Sequence, residues 1–371
     1  MKELRVRAEA LRHLCQQVFE RLEVPEEDAA ITADVLVAAD LRGIDSHGVA
    51  RLKRYVDGLR AGIMIASPRV QVIRETPSTA LIDGGGGLGQ PTGVRAMRLA
   101  MDKAQEVGAG FVAVRNSNHY GIAGYYAMMA LEQELIGISM TNASPLVVPT
   151  FGQEAVLGTN PLSLAAPANR ERSFVLDMAT SVVPVGKLER YRLLGKPIPK
   201  GWATDEGGLA TTDPGLVVRN VSQRLGGGLL PLGGEGEELG GHKGYGLALM
   251  VDILSGVLSG AGFADRLPPW GQKGKKQPDN LGHFLGALKV DAFRPLEEFK
   301  ADMDEVIRCL KGSAKAEGES RIYIHGEKEW EMEEERRKRG IPLHPGVVAM
   351  MKQIAEELNL SLVLDNLLKA C

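Results

Sequence analysis

A chain of 371 residues, 44% of them apolar and 25% charged, is long enough to bury two cores and is neither disordered nor fibrous in composition. Its formal net charge of −3 leaves no basic excess for a nucleic-acid surface. Three scattered cysteines, Cys15, Cys309 and Cys371, match no zinc spacing and no disulfide framework, which points to a reducing, cytoplasmic compartment.

The N-terminal residues alternate charge with apolar side chains and do not read as a signal peptide. Leu11, Leu14, Val18 and Leu22 recur at helical spacing, so residues 3–23 read as an amphipathic helix. Pro25 suits the first turn of a second helix running to about Leu41. A third helix is expected to begin near Ser46. From Ser78 the texture becomes mixed α/β. Thr79–Ile82 and Phe111–Val114 read as strands, with a turn at Gly84–Gly89 and a helix at Pro91–Val107 between them. Gly124–Leu135 reads as helix, and Ile136–Met140, Leu162–Ala166, Phe174–Leu176 and Gly286–Val290 as strands. Gly226–Gly244 reads as a long loop and residues 263–280 as a mobile excursion. Between them, the apolar stretch Gly246–Gly262 carries Asp252 and is rich in glycine, which favours a buried core helix over a membrane span. Pro295–Leu310 and Pro345–Leu358 read as amphipathic helices, and the basic run Arg336–Arg339 after Glu333–Glu335 as a solvated helical face.

Gly84, Gly86 and Gly89 match G-x-G-x-x-G between a strand and a helix. Glycine fills all of positions 84–87, however, and no acidic ribose partner follows at the usual distance, so a plain tight turn is the better reading.

Two short polar segments stand out in a chain with seven histidines: Asp45-Ser46-His47-Gly48 with Arg51 and Tyr55, and Asn116-Ser117-Asn118-His119. On a helix, Val49, Leu52, Val56 and Leu59 share an inward face, and His47, Arg51 and Tyr55 form a stripe on another. Ser46 would cap that helix. The stripe is either a solvated surface or a site in which a neutral imidazole accepts a hydroxyl proton while a guanidinium grips a carboxylate. His119 leaves a strand end, where functional groups and structural hydrogen-bonders both occur. His242-Lys243 opens the apolar helix and reads as an exposed loop end or an anion contact. His47, His119 and His242 lack the spacing of a metal site, and Ser46-His47 lacks the elbow of a hydrolase, although a Ser/His hydrolase stays conceivable.

The ordered series of motifs resembles the type 2 malate/L-lactate dehydrogenase family across nearly the whole chain. The matching residues run through Asp45–Gly48, Asp83-Gly84, Gly87–Gln90, Val114–His119, Thr141-Asn142, Gly158-Thr159-Asn160-Pro161, Asp177–Ser181, Gly186-Lys187, Gly201–Ala203, Lys243-Gly244 and Gly340–Leu343. The resemblance implies an α/β (α+β), non-Rossmann malate/L-lactate dehydrogenase-like fold. In that fold a helical domain over residues 1–75, joined by C-terminal helices from 295–371, accompanies a mixed-sheet domain over 76–294 that binds cofactor and substrate. It implies NAD, or NADP, as cofactor, a small 2-hydroxy or 2-oxo acid as substrate, and a homodimer, with no nucleic-acid or membrane partner. His47 would carry the proton with Ser46 in support, or His119 would do so beside the nicotinamide. Arg51, Tyr55 and Thr159 would meet the substrate. His119, Tyr120, Gly121, Ile122, Ala123, Asp177, Met178, Ala179, Thr180, Ser181, His242, Lys243, Gly326 and Glu327 would line the dinucleotide. His325 stands where the family often has proline, and Lys187 where imine-reducing relatives tend to be acidic. The alternatives are a reductase of another 2-oxo acid or of a cyclic imine on the same fold, and a non-catalytic nucleotide-binding relative.

Overall fold

The computed structural model describes residues 4–268 and 278–369. In chain order, β1 (Leu4–Val6) leads into α1 (Ala8–Glu20), α2 (Glu26–Leu41) and α3 (Leu52–Arg60). β2 (Gln71–Glu75), β3 (Thr79–Asp83), α4 (Gly89–Val107), β4 (Ala109–Ser117), α5 (Ala123–Met129) and β5 (Ile136–Thr141) follow. The middle of the chain holds β6 (Leu162–Ala166), β7 (Phe174–Met178), α6 (Val185–Leu193), β8 (Ala203–Thr204), α7 (Pro214–Gln223) and β9 (Gly228–Leu229). α8 (Gly241–Asp252) continues through a π-helical turn, Ile253–Val257, before β10 (Leu281–Leu288). α9 (Leu296–Gly312), α10 (Glu327–Arg339), β11 (Ile341–Leu343), α11 (Pro345–Glu357) and α12 (Ser361–Lys369) complete the described chain.

The main sheet, among the described residues, runs β2-β3-β4-β10-β5-β6-β7. β3 and β4 are parallel, with α4 as the crossover, and the other neighbours are antiparallel. One βαβ unit thus sits in an otherwise antiparallel sheet, which is not the parallel sheet of a dinucleotide-binding Rossmann domain. Met97, Ala100 and Ala104 of α4 pack with Val112 and Val114 of β4 and Leu285 of β10 in one core. A second core joins Leu11, Leu14, Leu36, Leu52 and Val56 to Ile341, Met351, Ile354 and Leu364, and β1 pairs with β11, so the two ends of the chain close on each other. A third gathers Leu146, Leu188, Val217, Leu229 and Ala248. Each fully buried leucine or valine there contributes roughly 1.5–3 kcal/mol.

Several expectations shift. The first helix starts at Ala8, because Leu4–Val6 is drawn into pairing with β11. The third starts at Leu52, after a 3-10 turn over Val49–Arg51, and Ser46 does not cap it. The helix expected over Gly124–Leu135 ends at Met129 and tightens into a 3-10 turn. The strand expected at Gly286 begins at Leu281. The apolar helix is not a buried one: Leu249, Met250, Ile253, Val257 and Leu258 are exposed. No helix of the described residues is long and apolar enough to cross a membrane. Arg336 is buried and Glu333 and Glu335 are half-buried, whereas Glu334, Arg337, Lys338 and Arg339 are exposed as expected. Asp304 of α9 accepts the N–H groups of Asn169, Arg170 and Glu171 at the β6–β7 turn. Half of the segment read as an excursion, residues 269–277, lies outside the described residues.

Candidate active site

The glycine turn after β3 is the first positioning device. Gly85 and Gly86 take φ of +62° and +72°, a region that favours glycine. Asn118 Nδ2 donates to the carbonyls of Gly86 and Gly87 at 2.9 and 2.7 Å. A Cβ on Gly87 would lie 2.3 Å from Pro68, and one on Gly89 would lie 2.1 Å from the Asn118 carbonyl. The turn is filled by the protein itself and leaves no cradle for a pyrophosphate. It holds the loop that carries His119.

That loop is pinned from its other side by a residue the sequence reading passed over. His283, in the central strand β10, is fully buried. Its Nε2 meets Ser117 Oγ at 2.8 Å and its Nδ1 meets Thr141 Oγ1 at 2.7 Å. Tyr120 stacks on it at 4.5 Å between centroids. Burial depresses its pKa to about 3, so it is a neutral hydrogen-bonding wedge.

His47 lies on the turn between α2 and α3. The Val49 N–H donates to Asp40 Oδ2 at 2.9 Å, and the Asp40 carboxylate occupies the space a Cβ on Gly48 would need. Asp40 thus does the capping expected of Ser46. Arg336 of α10 donates to the Asp40 carbonyl and the Asp45 carboxylate, bracketing the turn. Ser46 Oγ instead meets His47 Nδ1 at 2.9 Å.

The two loops bring His47 and His119 together. Their rings stack at 5.7 Å between centroids and 18° apart. Tyr55 is not on a solvated stripe; it is fully buried, with its hydroxyl 2.6 Å from His119 Nδ1. Burial raises the Tyr55 pKa to about 12, so the phenol keeps its proton. The Gly121 N–H also points at His119 Nδ1, at 3.4 Å, and an N–H can only donate. The network therefore assigns Nδ1 as acceptor and the ring proton to Nε2. Burial, then the nearby Arg51 and Arg54 guanidinium groups, lower the His47 pKa to about 4. Burial and the charges of Arg54, His47 and Arg51 hold His119 well below its ordinary range. Both rings are neutral near pH 7.

A cavity opens on the pair, lined by Ser46, Arg51, Arg54, Tyr120, Gly121, Thr141 and Thr159, with Pro161, Val185 and Leu281 as apolar wall. Arg51 Nε donates to the Ser46 carbonyl at 2.7 Å, which fixes the guanidinium plane. Thr159 is tied down through its carbonyl, which accepts from Thr180 N at 2.9 Å. A separate cleft is lined by Arg42, Gly124, Asp177, Gly326, Lys328 and Glu329. Asp177 Oδ2 accepts from Gly124 N at 2.7 Å, and burial raises its pKa to about 6. Glu327 turns to Lys311 and Arg321, at 3.0 and 2.7 Å, and lines neither of these two spaces. Ile122 and Ala123 are buried, Met178 and Ala179 are half-buried beside Asp177, and Ser181 Oγ donates to the Val183 carbonyl. His242 and Lys243 are exposed on the first turn of α8 and border neither space. Sequence reasoning missed Asp40, Arg54, Thr141, His283 and Arg336. Two of these carried a signal: Arg54, three residues after Arg51, and Thr141, in the matching Thr141-Asn142 motif.

Fold and site together define a dehydrogenase of small 2-hydroxy acids. The chain belongs to the malate/L-lactate dehydrogenase family, whose model matches residues 6–352. It is 54% identical over 340 residues to malate dehydrogenase of Pyrococcus abyssi, covering 91% of each chain. The solved malate dehydrogenase of Pyrococcus horikoshii is 50% identical, with a TM-score of 0.86 over 96% of both chains. Sulfolactate dehydrogenase of Methanocaldococcus jannaschii is 38% identical, with a TM-score of 0.88 over 98% of this chain and 99% of that one. The family and fold expected from the motifs are those found, and the hydrolase reading gives way to them.

Proposed function

We propose that the cavity interconverts a 2-hydroxy acid of the malate or L-lactate type with its 2-oxo acid, using NAD or NADP. The carrying observation is the stacked, neutral His47–His119 pair beside Arg51 and Thr159 in one cavity. Arg51 and Thr159 take the substrate carboxylate, and Tyr55 acts from behind through His119. His119 donates its Nε2–H to the substrate 2-oxygen. His47, steadied by Ser46, takes the hydroxyl proton in oxidation and returns it in reduction. A neutral ring suits the first of these steps, and a carboxylate arriving at Arg51 offsets the repulsion that lowers its pKa.

When bound, the nicotinamide supplies hydride exchange at its C4, and the chain supplies orientation and the proton. The residues of the second cleft fit a dinucleotide: Arg42 and Lys328 bring positive charge for phosphates, and the Asp177 carboxyl suits a ribose hydroxyl. The binding stretch is read as His119–Ala123, Asp177–Ser181, His242-Lys243 and Gly326-Glu327. Glu327 contributes by fixing the Gly326 turn through Lys311 and Arg321. We read the chain as a helical domain from residues 1–75 with the C-terminal helices, and a cofactor and substrate domain from 76–294. The protein is read as cytoplasmic and homodimeric. The exposed apolar stripe of α8 supports the dimer.

The test is absorbance of reduced nicotinamide with NADH or NADPH and a panel of 2-oxo acids. Oxidation with at least one member is expected, and none with either cofactor overturns the reading. His47→Asn is expected to lower kcat by about 10²-fold or more with dinucleotide affinity little changed. A folded variant with near wild-type kcat would move the proton to His119.

A further inference from the structure

Two guanidinium groups, not one, line the small cavity. Arg51, just before α3, and Arg54, in its first turn, both border it, and among the described residues they are the charged side chains of its lining, the two histidines being neutral. One carboxylate held bidentately satisfies one guanidinium. Arg51 is already oriented by the carbonyl of Ser46, the neighbour of His47. Arg54 is differently held. Its Nη2 donates to Asp279 Oδ2 at 3.0 Å, the Asp279 side chain is only 11% exposed, and that of Arg54 is 34% exposed. Its charge reaches both imidazoles, since it is among the causes that depress each. The adjacent Asn280 accepts from the Asn116 N–H, so the segment bearing Asp279 is fastened to the His119 loop.

We propose that Arg54 is a specificity-determining residue that reads a second negative charge on the substrate, so that the site selects dianionic 2-hydroxy and 2-oxo acids over monoanionic ones. This rests on the dehydrogenase reading above. Asp279 keeps the guanidinium ordered and partly neutralised until the distal anion arrives, which limits the cost of burying an unpaired cation. A monoanion leaves Arg54 with Asp279 alone. A dianion gains a charge-assisted hydrogen bond to Arg54.

The experiment compares kcat/KM for oxaloacetate and for pyruvate with reduced nicotinamide dinucleotide, in the wild type, Arg54→Gln, Arg54→Lys and Asp279→Asn. The wild type is expected to prefer oxaloacetate. Arg54→Gln is expected to shrink that preference by about 10–100-fold, chiefly through KM for oxaloacetate. Arg54→Lys should restore part of it, since charge returns without the planar fork. Asp279→Asn leaves the cation and removes its neutralising partner, so the preference should rise. A purely structural strut predicts parallel losses with both acids, and that result overturns the assignment, as does an unchanged ratio in folded Arg54→Gln. Should Arg54→Gln fail to fold, a fall in preference in Asp279→Asn overturns it instead. A wild type that turns over neither acid overturns the dehydrogenase reading and this assignment with it, whereas turnover with unaltered selectivity overturns only the role of Arg54.

Discussion

The hydroxyl of Tyr55 decides which nitrogen of His119 carries the ring proton. It is buried, keeps its proton and donates to Nδ1, leaving Nε2–H for the cavity. Tyr55→Phe keeps the ring that packs against Phe19 at 6.3 Å between centroids and removes only this donor. The loss of one buried hydrogen bond, about 1 kcal/mol, predicts a kcat several-fold to about tenfold lower, with a melting temperature within a few degrees of wild type. An unchanged kcat would mean that Gly121 alone fixes the tautomer. The residue types at this site were readable beforehand: an imidazole pair, a guanidinium, a hydroxyl and a phenol. The inward turn of Tyr55 was not. A helical wheel gives the angle between side chains, and His119, 64 positions away, decides which angle is covered.

At the scale of elements, α10 is a strut between two spaces. Its first turn carries Lys328 and Glu329 at the second cleft, and its last turn carries Arg336 to Asp40 and Asp45 beside His47. Asp40 is the hinge of this contact. Its ordinary pKa near 3.8 is raised to about 7, chiefly by burial and also by Asp45, while the Val49 N–H and Arg336 pull it down. A carboxyl with a raised folded pKa binds more protons folded than unfolded between those two values. Its stabilising contribution is therefore complete below the unfolded value and is lost as pH rises through about 7. Asp40→Asn keeps an acceptor for Val49 N–H and cannot ionise. Its melting temperature relative to wild type should climb as pH goes from about 4 to about 7, read by melts across that range. A flat difference would show that Asp40 does not ionise there. Asp40→Ala, which loses the cap, should cost about 1 kcal/mol or more and lower kcat by loosening the His47 turn. The sequence located α2, α4 and α11 to within a few residues because each has a proline at or in its first turn. It missed β1 and β11, whose three residues each gain strand geometry only from one another.

For the whole molecule, the open question of surface is the outer face of α8. Leu249, Ile253 and Val257 recur every four residues, and Met250 and Leu258 flank them, so the stripe is continuous and exposed. We read it as the face that a second copy covers through a two-fold axis. Light scattering is expected to give a dimer for the wild type and a monomer for Ile253→Lys. A wild-type monomer, or a dimer untouched by the substitution, would remove this face from the interface.

What the sequence determined by itself was local and repetitive: the glycine turn, the strand that feeds it, the apolar helices, and two polar segments with the right chemistry for a 2-hydroxy acid. These rest on backbone freedom and periodicity, which near neighbours set. What the tertiary structure alone decided was which polar groups meet. Arg336 read as one more solvated charge and is buried because Asp45, 291 positions away, waits for it. His283 drew no reading from the sequence, since it precedes the strand expected at Gly286, and it is the wedge beneath His119. The apolar helix read as core and is half surface, since hydropathy records a wish for burial but not whether this chain supplies the cover. Long-range pairing of charges and the choice of covered face are properties of the assembled packing, and no window of the sequence contains them.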